Sequence, residues 1–154
     1  IVAYKVGIIP NFVAKEMVFS HFFRKWDIAV FNKCAELYSK EELNKIVRKD
    51  AVERIKWHQS LGHKVVVVSA SIENWLQGWC IENKVDLIAT RLKVEEGKVT
   101  GKFVSSNCFG IEKVNRIYER FDLSLFSHIH AYGDSRGDKE MLSISDSKYY
   151  RIFK

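Results

Sequence analysis

The chain has 154 residues, 47% of them hydrophobic and 29% charged, with a formal net charge of +6. That length and apolar content predict one compact domain, or one domain with a small insertion, and exclude wholesale disorder. No uncharged stretch approaches the roughly 18 residues of a membrane span, so stable membrane insertion is not expected.

From about residue 10 to residue 60 the apolar spacing is close to 3.6, which predicts three helical segments: "FVAKEMVFSHFFRKW", "AVFNKCAELY" and "EELNKIVRKDAVERIKWHQSLG". Ser39 followed by Glu42 fits a capping box opening the third, and Gly62 fits its stop. "HKVVVVSAS", His63 to Ser71, then reads as a strand buried on both faces. A helix "IENWLQGWCIENK" and a strand "VDLIAT" follow, then a β-hairpin turning at Glu96-Gly97. "GIEKVNRIYERF" predicts a helix, "HIHAYG" a strand, "GDKEMLSIS" a helix start and "KYYRIF" an edge strand. Strands alternating with helices imply an α/β, doubly wound, mostly parallel Rossmann-like sheet. Residues 1–58 are expected to form a small helical cap and 59–154 the core.

Cys34, Cys80 and Cys108 are odd in number and widely spaced, with no C-x-x-C pair. They argue against a zinc cage or a disulfide framework and favour a reducing, cytoplasmic setting. Basic residues are interleaved with acids, as in "SKEELNKIVRKDAVERIK", which reads as solvated helix faces, so no nucleic-acid partner is expected. His128 and His130 alternate on one strand and share a face, where packing or exposure is the ordinary reading. Cys108 is expected to be a structural thiol, and Glu73, Asn74 and Trp75 to pack at a helix start. Phe12 to Trp26 reads first as a packed helix, with a greasy substrate or a membrane surface as the lesser reading.

In doubly wound sheets, ligands sit beyond the carboxyl ends of the strands. Two such ends here are polar: Ser69-Ala70-Ser71, and Gly133-Asp134 in "AYGDSRGDKEM". Lys113 lies between them in sequence, in the first turn of the helix after "NCFG". A hydroxyl, an ammonium and two carboxylates, Asp134 and Asp138, suit phosphoryl transfer. Carboxylate oxygens are hard ligands for Mg²⁺, while lysine and serine satisfy the phosphate oxygens. A solvated turn, or an RGD adhesion tripeptide at Arg136-Gly137-Asp138, are the competing readings of that loop.

"VVVVSAS", "NCFGIEKV" and "AYGDSRGDKEML", in that order, resemble the haloacid-dehalogenase-like (HAD) hydrolases, and within them the phosphoserine-phosphatase-like branch. The resemblance runs from about Ala51 onward, with the helical stretch before it similar to that branch's cap. It implies that Ser69, Ala70 and Lys113 bind phosphate, that Asp134 is a Mg²⁺ ligand, and that Asp138 supports the metal directly or through water. It also implies an aspartyl-phosphate intermediate and a small phosphorylated substrate. Two departures stand out. The family's nucleophile belongs to a D-x-D-x-T motif on the first strand, and this chain has no D-x-D; Asp27 and Asp50 lie in helix-like, charged contexts. In phosphoserine phosphatases the lysine falls where this chain has Phe109, whereas Lys113 sits one helical turn further on.

Without that central first strand, "KVVVVS" and "HIHAYG" are expected to face each other across a gap. With the non-methionine start at Ile1, this leads to the expectation of an upstream segment holding the nucleophile, and of a chain inactive alone. The alternative is a non-catalytic, phosphate-binding relative. The sequence names neither the substrate nor the oligomeric state.

Overall fold

The computed structural model describes residues 11–104 and 106–153. Helix α1 (Asn11–Phe23) leads to α2 (Ile28–Glu41), which opens on Asp27; the Asp27 carboxylate accepts a 2.8 Å hydrogen bond from the Ala29 N–H. The third expected helix is divided. A single turn, α3 (Leu43–Ile46), is separated from α4 (Lys49–Ser60) by extended backbone at Val47 and Arg48.

Ser39 does not open that helix. It is buried inside α2, and its hydroxyl accepts the Trp79 N–H at 2.7 Å. Its small side chain lets α2 approach α5 (Glu73–Glu82) closely, since a Cβ on Gly78 would lie only 2.8 Å from Ser39 Oγ. Tertiary packing has taken a residue whose spacing signals a cap. Gly62 does end α4's connection as expected, at φ +74°.

A parallel β–α–β unit follows: β1 (Val66–Ile72), α5 and β2 (Asp86–Thr90), paired from Val66↔Asp86. β3 (Leu92–Glu95) and β4 (Lys98–Phe103) form the hairpin, with Glu96 and Gly97 at φ +49° and +73°, both positive as a two-residue type I′ turn requires. α6 (Ile111–Arg120), β5 (His130–Gly133), α7 (Lys139–Ser143) and β6 (Ser147–Tyr150) complete the chain, with β6 parallel to β5.

The β1–β2 and β5–β6 pairs are not hydrogen-bonded to one another. β1 and β5 face across a cavity of about 680 Å³, lined by Val65 to Val68, Ile129, Ala131 and Met141 among others. The valines of β1 are consequently half-buried, against the expectation of a strand covered on both faces. The strand type was legible; its burial fails because one edge has no neighbouring strand among the described residues.

Two apolar clusters hold the elements. Phe19, Phe31, Ala35, Ile72, Leu92, Val99 and Phe103 join α1 and α2 to the hairpin, with Trp75 against them. Backbone bonds reinforce this junction: Lys25 N–H to Val99 O at 2.8 Å and Val99 N–H to Trp26 O at 2.9 Å. Gly101 is required there, because a Cβ would lie 2.5 Å from Ser20 Oγ. Leu43, Trp79, Cys80 and Val85 form the second cluster, beneath α4 and β1. Residue 58, where the expected cap boundary falls, lies inside α4. No described helix is long and apolar enough to cross a membrane.

Candidate active site

The carboxyl ends of β1 and β5 open on one cavity of about 470 Å³, and Ser69, Ala70, Lys113, Asp134 and Asp138 all line it. Local sequence explains how β1 ends. The register jumps from Ser69↔Ala89 to Ile72↔Thr90, so Ala70 and Ser71 have no partner in β2. Such a bulge re-aims side chains at a strand end. Ser69 Oγ accepts the Ser71 N–H at 3.1 Å, which fixes the hydroxyl and leaves its proton for a ligand. The Ala70 carbonyl turns toward buried Thr90, whose hydroxyl lies 3.0 Å away and also 2.9 Å from Asn107 Oδ1.

Lys113 is buried in the first turn of α6 and reaches across to two elements. Its ammonium donates to Val68 O at 2.7 Å and to Asp138 Oδ1 at 2.6 Å. Asp138 is buried as well, and its other oxygen, Oδ2, accepts the N–H groups of Asp134 (3.2 Å) and Ser135 (2.9 Å) and the Ser135 hydroxyl (2.7 Å). Burial pushes the Asp138 carboxyl upward, but the Lys113 ammonium and the Ser135 donors outweigh it and hold the group below its ordinary value. Asp138 therefore stays ionised and, through Lys113, ties the Gly133–Asp138 turn to α6.

The glycines of this turn serve close packing. A Cβ on Gly133 would lie 2.5 Å from Asp138 Cβ, and one on Gly137 would collide with the Phe109 ring. Gly110 N–H donates to Gly137 O at 3.0 Å, joining the two loops. Arg136-Gly137-Asp138 is a single 3-10 turn with Gly137 and Asp138 buried, so the tripeptide is not displayed for adhesion.

Asp134 points the other way. Its side chain is 55% exposed and lies 3.3 Å from the Arg48 guanidinium, while its carbonyl accepts from Arg151 Nε at 3.0 Å. With both Asp138 oxygens engaged, Asp134 is the described pocket carboxylate open to a cation. No described set of three or more His, Cys, Asp or Glu forms a metal cage. One carboxylate nonetheless fits Mg²⁺, which is usually held by one or two carboxylates plus phosphate and water.

Sequence reasoning missed Lys15, Arg48, Arg151, Ser135, Phe109 and Tyr132, which line the same cavity. Ser135 had a signal, since a serine three residues before an acid is the capping-box spacing, and that box is present. The three cations had none, because they arrive from α1, the α3–α4 link and the chain end. Cys108 is fully buried with its thiol pushed up by burial, as a structural thiol should be. Trp75 and Asn74 pack against α1 and α2 rather than lining the cavity.

This fold is that of the haloacid dehalogenase-like (HAD) class. The family model described as haloacid dehalogenase-like hydrolase matches residues 2–143, so the chain belongs to that family. It is 35% identical over 131 residues to Protein CicA of Caulobacter vibrioides, which covers 82% of this chain and 58% of that protein. It is 32% identical over 120 residues to the probable phosphatase Rv3661 of Mycobacterium tuberculosis, covering 76% of this chain and 42% of that one. The chain thus spans about half the length of these curated relatives. Among solved structures, a Bordetella pertussis protein of unknown function superposes with a TM-score of 0.78 at 20% identity, covering 94% of this chain and 67% of that one. A probable phosphoserine phosphatase from Vibrio cholerae gives 0.70 at 13% identity, covering 94% and 43%. These two likenesses establish the fold.

Proposed function

We propose that the protein is a Mg²⁺-dependent, cytoplasmic phosphatase acting on a small phosphomonoester. The observation that carries this reading is the convergence in one cavity of the bulged end of β1, the buried Lys113–Asp138 pair and the outward Asp134. Ser69 and the backbone of Ala70 donate to phosphate oxygens, and Lys113 offsets their charge. Asp138 holds Lys113 in place and fixes the turn that presents Asp134. Asp134 would hold the metal, which when bound neutralises phosphate charge and polarises its oxygens.

Among the described pocket residues no carboxylate is poised to attack phosphorus, since Asp134 is paired with Arg48 and Asp138 lies under Lys113. In this reading the attacking aspartate arrives on a strand seated between β1 and β5, where the larger cavity adjoins the site along Val68 and Tyr132. The same observation favours a second reading, a relative that binds phosphate without hydrolysing it. Phosphate release from a panel of phosphorylated metabolites, with and without Mg²⁺, separates the two in the intact protein. Asp134→Asn is expected to abolish release. Retained turnover would remove Asp134 from the site, and binding without any release would establish the second reading.

A further inference from the structure

Helix α1 keeps its charged residues on the side that faces the protein. Lys15 donates to Ala70 O at 3.2 Å and Asn107 Oδ1 at 3.4 Å. Glu16 accepts the Phe103 N–H and the Lys102 ammonium, each at 2.9 Å. Phe19 and Phe23 pack on the same inward side, against Phe31 and Trp75. The outward side is left to Met17, Val18, His21 and Phe22, two i,i+4 pairs that are all exposed, Met17 and Phe22 at 61% each. A helix side that faces water is ordinarily polar, and a contiguous apolar one marks a contact surface.

That surface continues past the helix end. The Phe22 ring stands 6.2 Å from Phe23, and Phe23 stands 5.3 Å from Trp26, itself half-exposed. Arg24 and Lys25 are exposed in the same turn, and neither belongs to an ion pair among the described residues. The turn is held in shape by β4, since the Lys25 N–H donates to Val99 O and Trp26 O accepts the Val99 N–H. The neighbouring carboxylates are engaged elsewhere, Glu16 inward and Asp27 on the Ala29 N–H.

Charge decides what fits such a face. A two-fold contact with a second copy would set these cations against themselves. The residues before α1, "IVAYKVGIIP", carry a lysine and no acid, so they bring no counter-charge. An anionic bilayer supplies both an apolar boundary and negative charge. We propose that the outer side of α1 and the turn after it dock the protein on an anionic phospholipid membrane. Val18 and Phe22 enter the acyl boundary, Trp26 lies at headgroup level, and Arg24 and Lys25 meet lipid phosphates. Docking of this kind needs no membrane-spanning helix, and none is described. The proposal is independent of what the strand-end cavity hydrolyses.

Flotation of the intact protein with vesicles tests it, using phosphatidylcholine alone and phosphatidylcholine mixed equally with phosphatidylglycerol. The protein is expected to float with the mixed vesicles and far less with phosphatidylcholine alone. Replacing both cations, Arg24→Gln with Lys25→Gln, should weaken partitioning into the mixed vesicles about thirtyfold. Phe22→Ser should weaken it about tenfold, and its urea midpoint should match that of the unaltered protein because Phe22 is exposed. Failure to float with either vesicle would overturn the proposal, as would equal flotation with both or flotation that neither variant alters. A dimer in sedimentation velocity that Phe22→Ser abolishes would also overturn it, by assigning the face to a second copy of the chain.

Discussion

Among the ion pairs of the described residues, that of Lys113 and Asp138 has both side chains buried, each at 8% relative exposure. A pair of that kind is weak evidence for stability when intact, yet removing one partner strands a charge without solvent. Lys113→Met should therefore cost about 3–5 kcal/mol in urea unfolding, because Asp138 would remain under α6 with its principal counter-charge gone. A loss below about 1 kcal/mol would mean that the Ser135 donors alone satisfy Asp138. The sign of the pH effect follows from the lowered folded-state value of Asp138. The unfolded chain then binds the proton more tightly than the folded chain, so the contribution is full above the unfolded carboxylate value of about 3.9. It is lost as pH falls through the folded value. Acid unfolding should shift to higher pH in Asp138→Asn, and an unchanged acid midpoint would count against the pair.

At the scale of elements, the turn Gly133–Asp138 and the loop before α6 are clasped through Gly137 and Phe109. Gly137→Ala should destabilise by about 1–3 kcal/mol through overpacking, and Phe109→Ala in the same chain should return most of that loss. Additive losses in the double variant would show that the clash is not what makes glycine necessary. Much of this scale was legible in the sequence. Glu96-Gly97 announced the hairpin because it sits between two alternating stretches with a glycine free to take positive φ, and "VVVVSAS" announced β1 because β-branched runs bounded by small residues suit strands. Ser39 was misread because a local capping signal competes with a contact to Trp79 forty residues away, which local spacing does not encode. The candidate site divides in the same way. Ser69, Lys113, Asp134 and Asp138 stand out on local grounds, whereas Lys15 meets Ala70 and Asn107 across separations of 55 and 92 residues.

At the scale of the whole molecule, a cluster of histidines links the two halves of the sheet beside the larger cavity, where the described residues form no strand ladder between β1 and β5. His58 of α4 contacts the Tyr132 hydroxyl of β5 through Nε2 at 2.8 Å and His63 through Nδ1, also at 2.8 Å. The His130 ring stands 5.1 Å from His58 and 6.0 Å from His63, with His128 at 4.6 Å on its other side. The Nδ1–Nδ1 contact needs one proton between two nitrogens, so His58 and His63 cannot both be imidazolium there. Burial first, then His130, His63 and Arg54, lower the His58 value; burial first, then His128, His63 and Arg54, lower that of His130, with Asp146 opposing. Both shifts are depressions, so the unfolded chain binds protons more readily than the folded one. The cluster's contribution is full above the unfolded histidine value of about 6.5 and is lost as pH falls below it. The urea midpoint should drop between pH 7.5 and 5.5, with tryptophan fluorescence as the readout. His58→Gln, which keeps a hydrogen-bonding side chain without a titrating charge, should flatten that drop. An unchanged slope in His58→Gln would show that the histidine cluster does not carry the pH dependence.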